Sequence, residues 1–339
     1  MNKVIVIAEA GVNHNGYLDN AIKLIDVAAK AGADFVKFQT FKAKNLVTKQ
    51  AQKAIYQQEN TIGSSSQLDM LSQLEIPADW YPKLIQRCKE KEIGFLSTGF
   101  DVESIDFLDQ LGQKCYKVPS GEITHKSLLR RIAQKKKPVI ISTGMATMEE
   151  IHAALKVFLD EGLTQNNITI LHCTTAYPTP LSEVNLMAMK TIENELGVAI
   201  GYSDHTLGTA VSIAAVGLGA KLIEKHFTLD KNLPGPDHKA SLEPNELIQM
   251  VKAIREVTQS IEGTAKKTPT PTELENRKVA RKSLCYSSGF EKGRQLREED
   301  FIALRPEGGI SPMLIDDFIG KSLKQSVAQH TAINLNHFL

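Results

Sequence analysis

Eight short apolar runs, each closing in a polar cluster and each followed by a stretch of helical periodicity, narrow the folds open to this chain more than any other feature. The runs fall at 4–11, 35–40, 94–100, 115–122, 138–145, 168–178, 198–206 and 221–228. Amphipathic segments between them include 20–31, 77–92, 103–111, 148–161 and 209–219. Strand alternating with helix predicts parallel strands. Eight such units in about 250 residues predict an α/β fold, a (β/α)8 TIM barrel. The runner-up is a doubly wound open sheet, but no glycine-rich dinucleotide fingerprint follows the first run.

The polar clusters share a register. They are Glu9 with Asn13 and His14; Lys37 with Gln39; Ser97 with Thr98; Lys117, Ser120 and Glu122; Ser142 with Thr143; His172, Thr174 and Tyr177; Ser203, Asp204 and His205; and Glu224, Lys225 and His226. In a parallel barrel the C-terminal ends of the strands meet at one mouth, where the chemistry sits. A single polar strand end often only satisfies nearby backbone. Eight in register predict a reaction site.

The pattern changes after Glu262. Thr268-Pro-Thr-Pro-Thr reads as an extended linker, and the remainder, rich in glycine turns, reads as a small β-rich domain. The expected division is a barrel over 1–265, a linker over 266–280 and a C-terminal domain over 281–339. A domain that small has a marginal core, which predicts that it docks on something. The Gln- and Ser-rich stretch 50–73 reads as an inserted loop with a short helix near the mouth.

A formal net charge of +1 excludes a general electrostatic footprint for nucleic acid or an anionic membrane. The N-terminal apolar run is too short for a signal-peptide core, and the uncharged stretch 206–220 is too short to span a bilayer and reads as a buried helix. Cys88, Cys115, Cys173 and Cys285 form no CxxC pair, so the expected compartment is a reducing cytoplasm.

Lys37 and Lys117 close two different runs among apolar neighbours, and two lysines at one mouth suit a multiply charged anion. Pro119-Ser120-Gly121-Glu122 and Ser142-Thr143-Gly144-Met145 add hydroxyls and exposed amides at strand-to-helix turns, which suit phosphate oxygens. Together they predict a phosphorylated carboxylate substrate. Among the histidines, His125, His152, His330 and His337 read as surface residues, while His172 reads equally as a core residue or a catalytic one. His14, His205, His226 and His238 fall at strand ends or in the loop after the last strand, with Glu9, Asp204 and Asp237 at the same rim. No HExxH-type spacing identifies a metal site, although imidazoles, water and substrate oxygen there would permit a divalent ion.

Several longer stretches resemble the sialic acid synthase family, which includes synthases of N-acetylneuraminic, legionaminic and pseudaminic acids. They begin with Ala8-Glu-Ala-Gly-Val-Asn-His-Asn-Gly16, Val36-Lys-Phe-Gln-Thr-Phe41, Lys117-Val-Pro-Ser-Gly-Glu122 and Ser142-Thr-Gly-Met145. They continue with His172-Cys-Thr-Thr-Ala-Tyr-Pro178, Gly201-Tyr-Ser-Asp-His-Thr206, Glu224-Lys-His-Phe-Thr228 and Gly235-Pro-Asp-His238. Arg305-Pro-Glu-Gly-Gly-Ile-Ser311 is similar to the family's C-terminal antifreeze-like domain. The stretch 235–244 looks closest to members that make bacterial sialic or legionaminic acids. Two departures stand out: Gly99 where the family usually has proline, which should loosen the exit of the third strand, and Thr175 where several N-acetylneuraminate synthases have asparagine.

The resemblance implies condensation of phosphoenolpyruvate with an N-acetylated hexosamine and release of phosphate. It implies that His205 and His226 ligate a divalent ion, usually manganese, with magnesium or cobalt as alternatives. Lys37, Thr98, Lys117, Ser120, Ser142 and Ser203 match phosphoenolpyruvate-binding positions, and Thr175 stands at a further substrate-binding position, a phosphate contact, where it departs from the asparagine. Glu9, Gln39, Glu122, Tyr177 and Asp237 match positions near the sugar and the reacting centre, with Glu9 or Glu122 as the carboxylate that would activate water. Arg305 matches the arginine that a partner subunit inserts toward the N-acetyl group, which implies a domain-swapped homodimer. The rival enzyme reading is a lysine Schiff-base aldolase using pyruvate on the same barrel. A sugar- or ice-binding module is the non-enzyme reading.

Overall fold

The computed structural model describes residues 3–61 and 66–339. It divides into two compact units, 1–262 and 263–339. In the first, eight strands run parallel: β1 (Ile5–Gly11), β2 (Phe35–Thr40), β3 (Gly94–Gly99), β4 (Tyr116–Val118), β5 (Val139–Ser142), β6 (Ile168–His172), β7 (Ala199–Asp204) and β8 (Leu222–His226). Their order is β3-β2-β1-β8-β7-β6-β5-β4, with β3 and β4 in contact across the remaining seam. The first and last strands are hydrogen-bonded neighbours, so the sheet curls into a nearly closed barrel and the open doubly wound alternative is excluded.

Each strand leads to a helix on the outside: Leu18–Lys30, Trp80–Glu90, Val102–Gln110, Lys126–Gln134, Met148–Asp160, Ala188–Leu196, Ala210–Gly217 and Pro244–Ile261. Outward strand residues such as Val6, Val36, Val118 and Ile223 meet the buried stripes of these helices in the main core. Inward residues one position away form a separate apolar plug of Ile7, Leu96, Ile140, Leu171 and Leu222. This is the strand alternation that places successive side chains on opposite faces. Gly201 sits at the corresponding inward position of β7, where a Cβ would strike the carbonyl oxygen of Leu222 and the Leu171 side chain. The outward Lys225 and Asp204, both fully buried, pair at 3.0 Å, and Asp204 also accepts from the hydroxyls of Ser212 and Thr206. That network fixes the helix Ala210–Gly217 to the barrel wall.

Several predicted runs overshoot the observed strands. The ladder of β4 stops at Val118 because Pro119 has no N–H to donate, and Ser120–Glu122 form a 3-10 turn. The run 168–178 is strand only to His172. The residues beyond leave the sheet to shape the mouth. The exit of β3 is tight rather than loose: Ile105 packs where a side chain on Gly99 would stand, 2.7 Å from a Cβ there. The stretch 50–73 holds two short helices, Ile55–Asn60 and Gln67–Ser72, while residues 62–65 of it lie outside the described residues. The uncharged stretch 206–220 is the helix Ala210–Gly217, and among the described residues no helix is long and apolar enough to cross a membrane.

The second unit pairs β9 (Ser283–Tyr286) with β10 (Phe301–Leu304) in antiparallel register and adds isolated bridges. It buries its own apolar core around Leu284, Tyr286, Phe301, Phe318 and Phe338. The segment 266–280 is not an extended linker throughout. Pro271–Ala280 is a helix, because Thr270 accepts from the Glu273 amide while the Glu273 carboxylate caps the Thr270 amide. The Thr-Pro alternation hides that capping box.

The close approach at Gly201 makes a direct prediction. Gly201→Ala should destabilise the barrel by about 1–3 kcal/mol, because backbone would have to move. Gly217→Ala, at a helix end with open space around a Cβ, should leave stability unchanged or raise it by up to about 1 kcal/mol. Urea unfolding of the two variants distinguishes them; equal effects would contradict the packing.

Candidate active site

Two residues beyond the apolar plug, the same inward faces become polar. Ile7 gives way to Glu9, Phe35 to Lys37, Leu96 to Thr98, Cys115 to Lys117, Ile140 to Ser142 and Leu222 to Glu224. These six form a buried charged layer on the apolar floor. Lys37 Nζ lies 2.8 Å from Glu9 Oε2 and 3.6 Å from Glu224 Oε2, and donates to Thr98 Oγ1 at 3.0 Å. Lys117 Nζ donates to Ser142 Oγ at 2.6 Å and lies 3.5 Å from Glu224 Oε1. The Ser203 hydroxyl donates to Glu224 Oε1 at 3.0 Å. Glu224 therefore bridges the two lysines.

The charges are unequal. Burial alone would raise the Glu224 carboxyl, but Lys117 and Lys37 hold it down to about 2. Burial lifts Glu9 to about 7 against the pull of Lys37, with Glu224 adding to the lift. Burial works against the Lys37 ammonium, yet Glu224 and Glu9 keep it above its ordinary value. Lys117 goes the other way, lowered by burial and by the neighbouring Lys37. Near neutral pH the layer thus has two lysines facing one firm carboxylate and one that titrates. That is a cradle for an added anion.

One step further out, β7 and β8 present His205 and His226, and β2 presents Gln39. Their imidazole centroids are 5.8 Å apart, and Tyr177 packs against both. Nδ1 of His205 lies 2.6 Å from the Thr174 carbonyl oxygen, so Nδ1 carries the proton and Nε2 keeps a lone pair, 3.2 Å from the Tyr177 hydroxyl. Burial lowers His205 to about 4 and puts His226 well below its ordinary value. Gly11, at φ +53°, leaves room for this group: a Cβ there would lie 3.3 Å from the His226 ring and 3.4 Å from Gln39 and from Glu9.

These side chains open on one cavity of about 230 Å3. Of the predicted residues, Glu9, Lys37, Gln39, Thr98, Lys117, Ser120, Ser142, Thr175, Tyr177, Ser203, His205, His226 and Asp237 line it. Burial pushes the Asp237 carboxyl up to about 6. Glu122 does not line the cavity: its carboxylate turns to His125 Nδ1 at 2.7 Å. Arg305 belongs to the other unit, where it is exposed and donates to the Ala280 carbonyl at 2.8 Å. His172 takes the core reading, since Nε2 meets the Val184 carbonyl at 2.8 Å. His337 is half-buried against the Tyr286 hydroxyl rather than a free surface residue.

Glu224 stands among the polar run ends of the sequence, two positions from His226 and so on the same strand face, but nothing there assigns it a role; its bridge between the two lysines is visible only in the structure. The apolar side of the cavity was also missed. Met70, Leu71, Leu74 and Phe100 line it, and they come from segments whose folding together no local pattern announces.

Comparison with known proteins agrees with this geometry. Residues 24–267 match the model of the NeuB family. The chain is 50% identical over 321 residues to N,N'-diacetyllegionaminic acid synthase of Campylobacter jejuni, covering 95% of this chain and 96% of that one. It is 45% identical over 335 residues to the protein of the same name from Legionella pneumophila, covering 98% and 94%. Among solved structures it resembles N-acetylneuraminic acid (sialic acid) synthetase from Leptospira borgpetersenii, crystallised with citrate, with a TM-score of 0.72, 32% identity, and 81% and 90% of the two chains covered. With the family model covering most of the barrel and relatives matching nearly end to end, this chain belongs to the NeuB family.

Proposed function

We propose that this protein is a nonulosonic acid synthase that condenses phosphoenolpyruvate with 2,4-diacetamido-2,4,6-trideoxymannose and water, giving N,N'-diacetyllegionaminate and phosphate. The observation that carries the reaction class is the buried pair Lys37 and Lys117, held by Glu224 at the base of the cavity. The choice of sugar rests on the relatives at 50% and 45% identity that bear this product's name, against 33% for a pseudaminic acid synthase. N-acetylmannosamine, leading to N-acetylneuraminate, is the competing substrate.

Lys37 and Lys117, with Thr98, Ser120, Ser142, Thr175 and Ser203, bind the carboxylate and phosphate of phosphoenolpyruvate. Gln39, Tyr177 and Asp237 hold the open-chain sugar so that its aldehyde faces C3 of phosphoenolpyruvate, and bringing the two together removes much of the entropic barrier. The C3–C1 bond forms as C3 attacks the aldehyde carbon, and the aldehyde oxygen takes up a proton. Water adds at the resulting cationic C2, and Glu9, whose carboxyl titrates near neutral pH, accepts a proton from it. The tetrahedral centre then breaks its C–O bond to phosphate, leaving the 2-keto acid.

His205 and His226 fit a divalent ion such as Mn2+. Both imidazoles are neutral, and His205 donates through Nδ1 to a backbone carbonyl, the usual orientation of a ligating histidine. Among the described residues no cluster of three or more His, Cys, Asp or Glu side chains forms a ligand set, so water and substrate oxygens would complete the coordination. When bound, the ion supplies Lewis-acid polarisation of the aldehyde oxygen. The four cysteines are all free thiols, which suits a cytoplasmic enzyme.

Arg305 serves the acetamido group of the sugar, and it does so from a partner subunit in a domain-swapped homodimer. The support is the likeness of 305–311 to an antifreeze-like domain, together with an exposed guanidinium on a unit that has its own core. A planar guanidinium suits an acetamido carbonyl without competing for the lysine cradle.

Three outcomes follow. Incubation with phosphoenolpyruvate and each sugar in turn should release phosphate, fastest with the diacetamido sugar. The lowered Lys117 ammonium would also suit a Schiff-base aldolase, so borohydride trapping with pyruvate is the discriminating control: labelling of Lys117 without phosphate release would overturn the synthase. Chelation should abolish turnover and Mn2+ restore it, whereas full turnover in verified metal-free enzyme would remove the ion from the reaction. Mixing Arg305→Ala subunits with His226→Ala subunits should regain activity, because an intact barrel then receives an intact arginine. No recovery after subunit exchange would show that each arginine serves its own barrel.

A further inference from the structure

The loop after β8 brings Asp237 to the cavity, yet no hydrogen bond to the Asp237 carboxylate is made among the described residues. What holds it lies behind it, on the first strand-to-helix loop. Asn13, fully buried, donates through Nδ2 to the Phe227 carbonyl at 2.8 Å and to Ser241 Oγ at 3.0 Å. The Ser241 hydroxyl in turn donates to the backbone carbonyl of Asp237 at 2.7 Å. Asn15 donates through Nδ2 to the Pro234 carbonyl at 2.8 Å, and its Oδ1 meets Nε2 of His238 at 3.0 Å. The other nitrogen of His238 meets the Thr228 hydroxyl at 2.6 Å. Residues 227, 234, 238 and 241 are thereby pinned on both sides of Asp237 by two side chains more than 200 positions earlier in the chain.

The local backbone is shaped for this. Asn15 has φ +53°, a left-handed conformation that asparagine tolerates better than most residues, and it turns the side chain toward the last loop. Gly235, at φ +152°, keeps the approach open: a Cβ there would lie 2.7 Å from the His238 ring and 2.8 Å from Asn15 Oδ1. The intervening His14 points away, its Nδ1 accepting from the Gly16 amide at 3.0 Å and its ring edge-on to Trp80. His14 thus sets the turn that presents its two neighbours.

We propose that Asn13 and Asn15 are positioning residues for Asp237, and that through it they govern recognition of the sugar and not of phosphoenolpyruvate. The second half rests on the synthase reading above; the first half does not. Asn13 and Asn15 touch backbone, Ser241 and His238, and do not line the cavity, so their effect reaches substrate by way of the loop. Lys37 and Lys117 themselves stand on β2 and β4, away from both loops, and the carboxylates that hold them, Glu9 and Glu224, are fixed within β1 and β8 rather than in the loops that follow.

Asn15→Gly tests this, because glycine keeps the left-handed turn while deleting both hydrogen bonds. Hydrogen exchange of the unliganded protein should show amides within 229–241 exchanging at least about tenfold faster, with strand amides unchanged. In steady-state assays the KM for the sugar should rise about tenfold and that for phosphoenolpyruvate should stay within about twofold. Adding Asn15→Gly to an Asp237→Ala background should give no further rise in the sugar KM. Unchanged exchange in 229–241 would overturn the clamp whatever the enzyme makes. Faster exchange with both KM values moving together, with neither moving, or with additive effects in the double variant would overturn the link to sugar recognition. A wild-type protein that releases no phosphate from phosphoenolpyruvate with any sugar would instead defeat the synthase reading and with it the sugar half of the proposal, while leaving the exchange result to decide the clamp.

Discussion

Glu224 between two lysines is the interaction around which the mouth is organised. Its carboxylate is within 3.6 Å of Lys37 Nζ and 3.5 Å of Lys117 Nζ, deep in the barrel, where two ammonium groups without it would repel in a medium that screens poorly. Buried ion networks contribute little to stability once desolvation is counted, and an apolar layer of similar volume is often as good. The plug two residues below shows that this sequence can build such a layer. Thr98 and Ser142, accepting from the two lysines, and Ser203, donating to Glu224, hold the ions instead. Two lysines facing one firm carboxylate make an arrangement suited to a further anion.

The same two-residue period separates function from scaffold along single strands. On β7, Ser203 and His205 face the cavity while Asp204 between them anchors the outer helix through Ser212 and Lys225. On β8, Glu224 and His226 face inward and Lys225 outward. Polar residues adjacent in sequence therefore serve unrelated ends. Asp204 and Lys225 belong to the packing of the wall, whereas the residues on either side of them line the cavity.

The loops add what strands cannot. Tyr177, Asp237 and the apolar wall of Met70, Leu71 and Leu74 reach the cavity from three different connections. Each is held by contacts distant in the chain, as Asp237 is by the first loop through Ser241 and His238. The upper cavity is thus built from loop segments held by long-range contacts. The charged layer below belongs to the sheet.

The sequence by itself determined the barrel and most of its mouth. Apolar runs of strand length alternating with amphipathic helices leave few ways to bury both patterns, and polar residues at the run ends could meet only at one rim. Most of the polar residues the sequence marks, Glu224 among them, line one cavity. Tertiary structure alone decided the rest. Glu224 lies beside Lys37 and Lys117 only because β8 returns to β1 as the barrel closes. Glu122 sits in a motif with Lys117 but turns to His125, since Pro119 ends the strand and the 3-10 turn that keeps Ser120 on the cavity carries Glu122 past it. The helix Pro271–Ala280, by contrast, is a local matter: the capping box from Thr270 to Glu273 is present in the sequence but masked by prolines that read as extended. Periodicity is a local property and survives in the sequence. Which end of one strand meets which end of another depends on contacts between residues more than a hundred positions apart, such as Lys117 with Glu224, which no local pattern encodes.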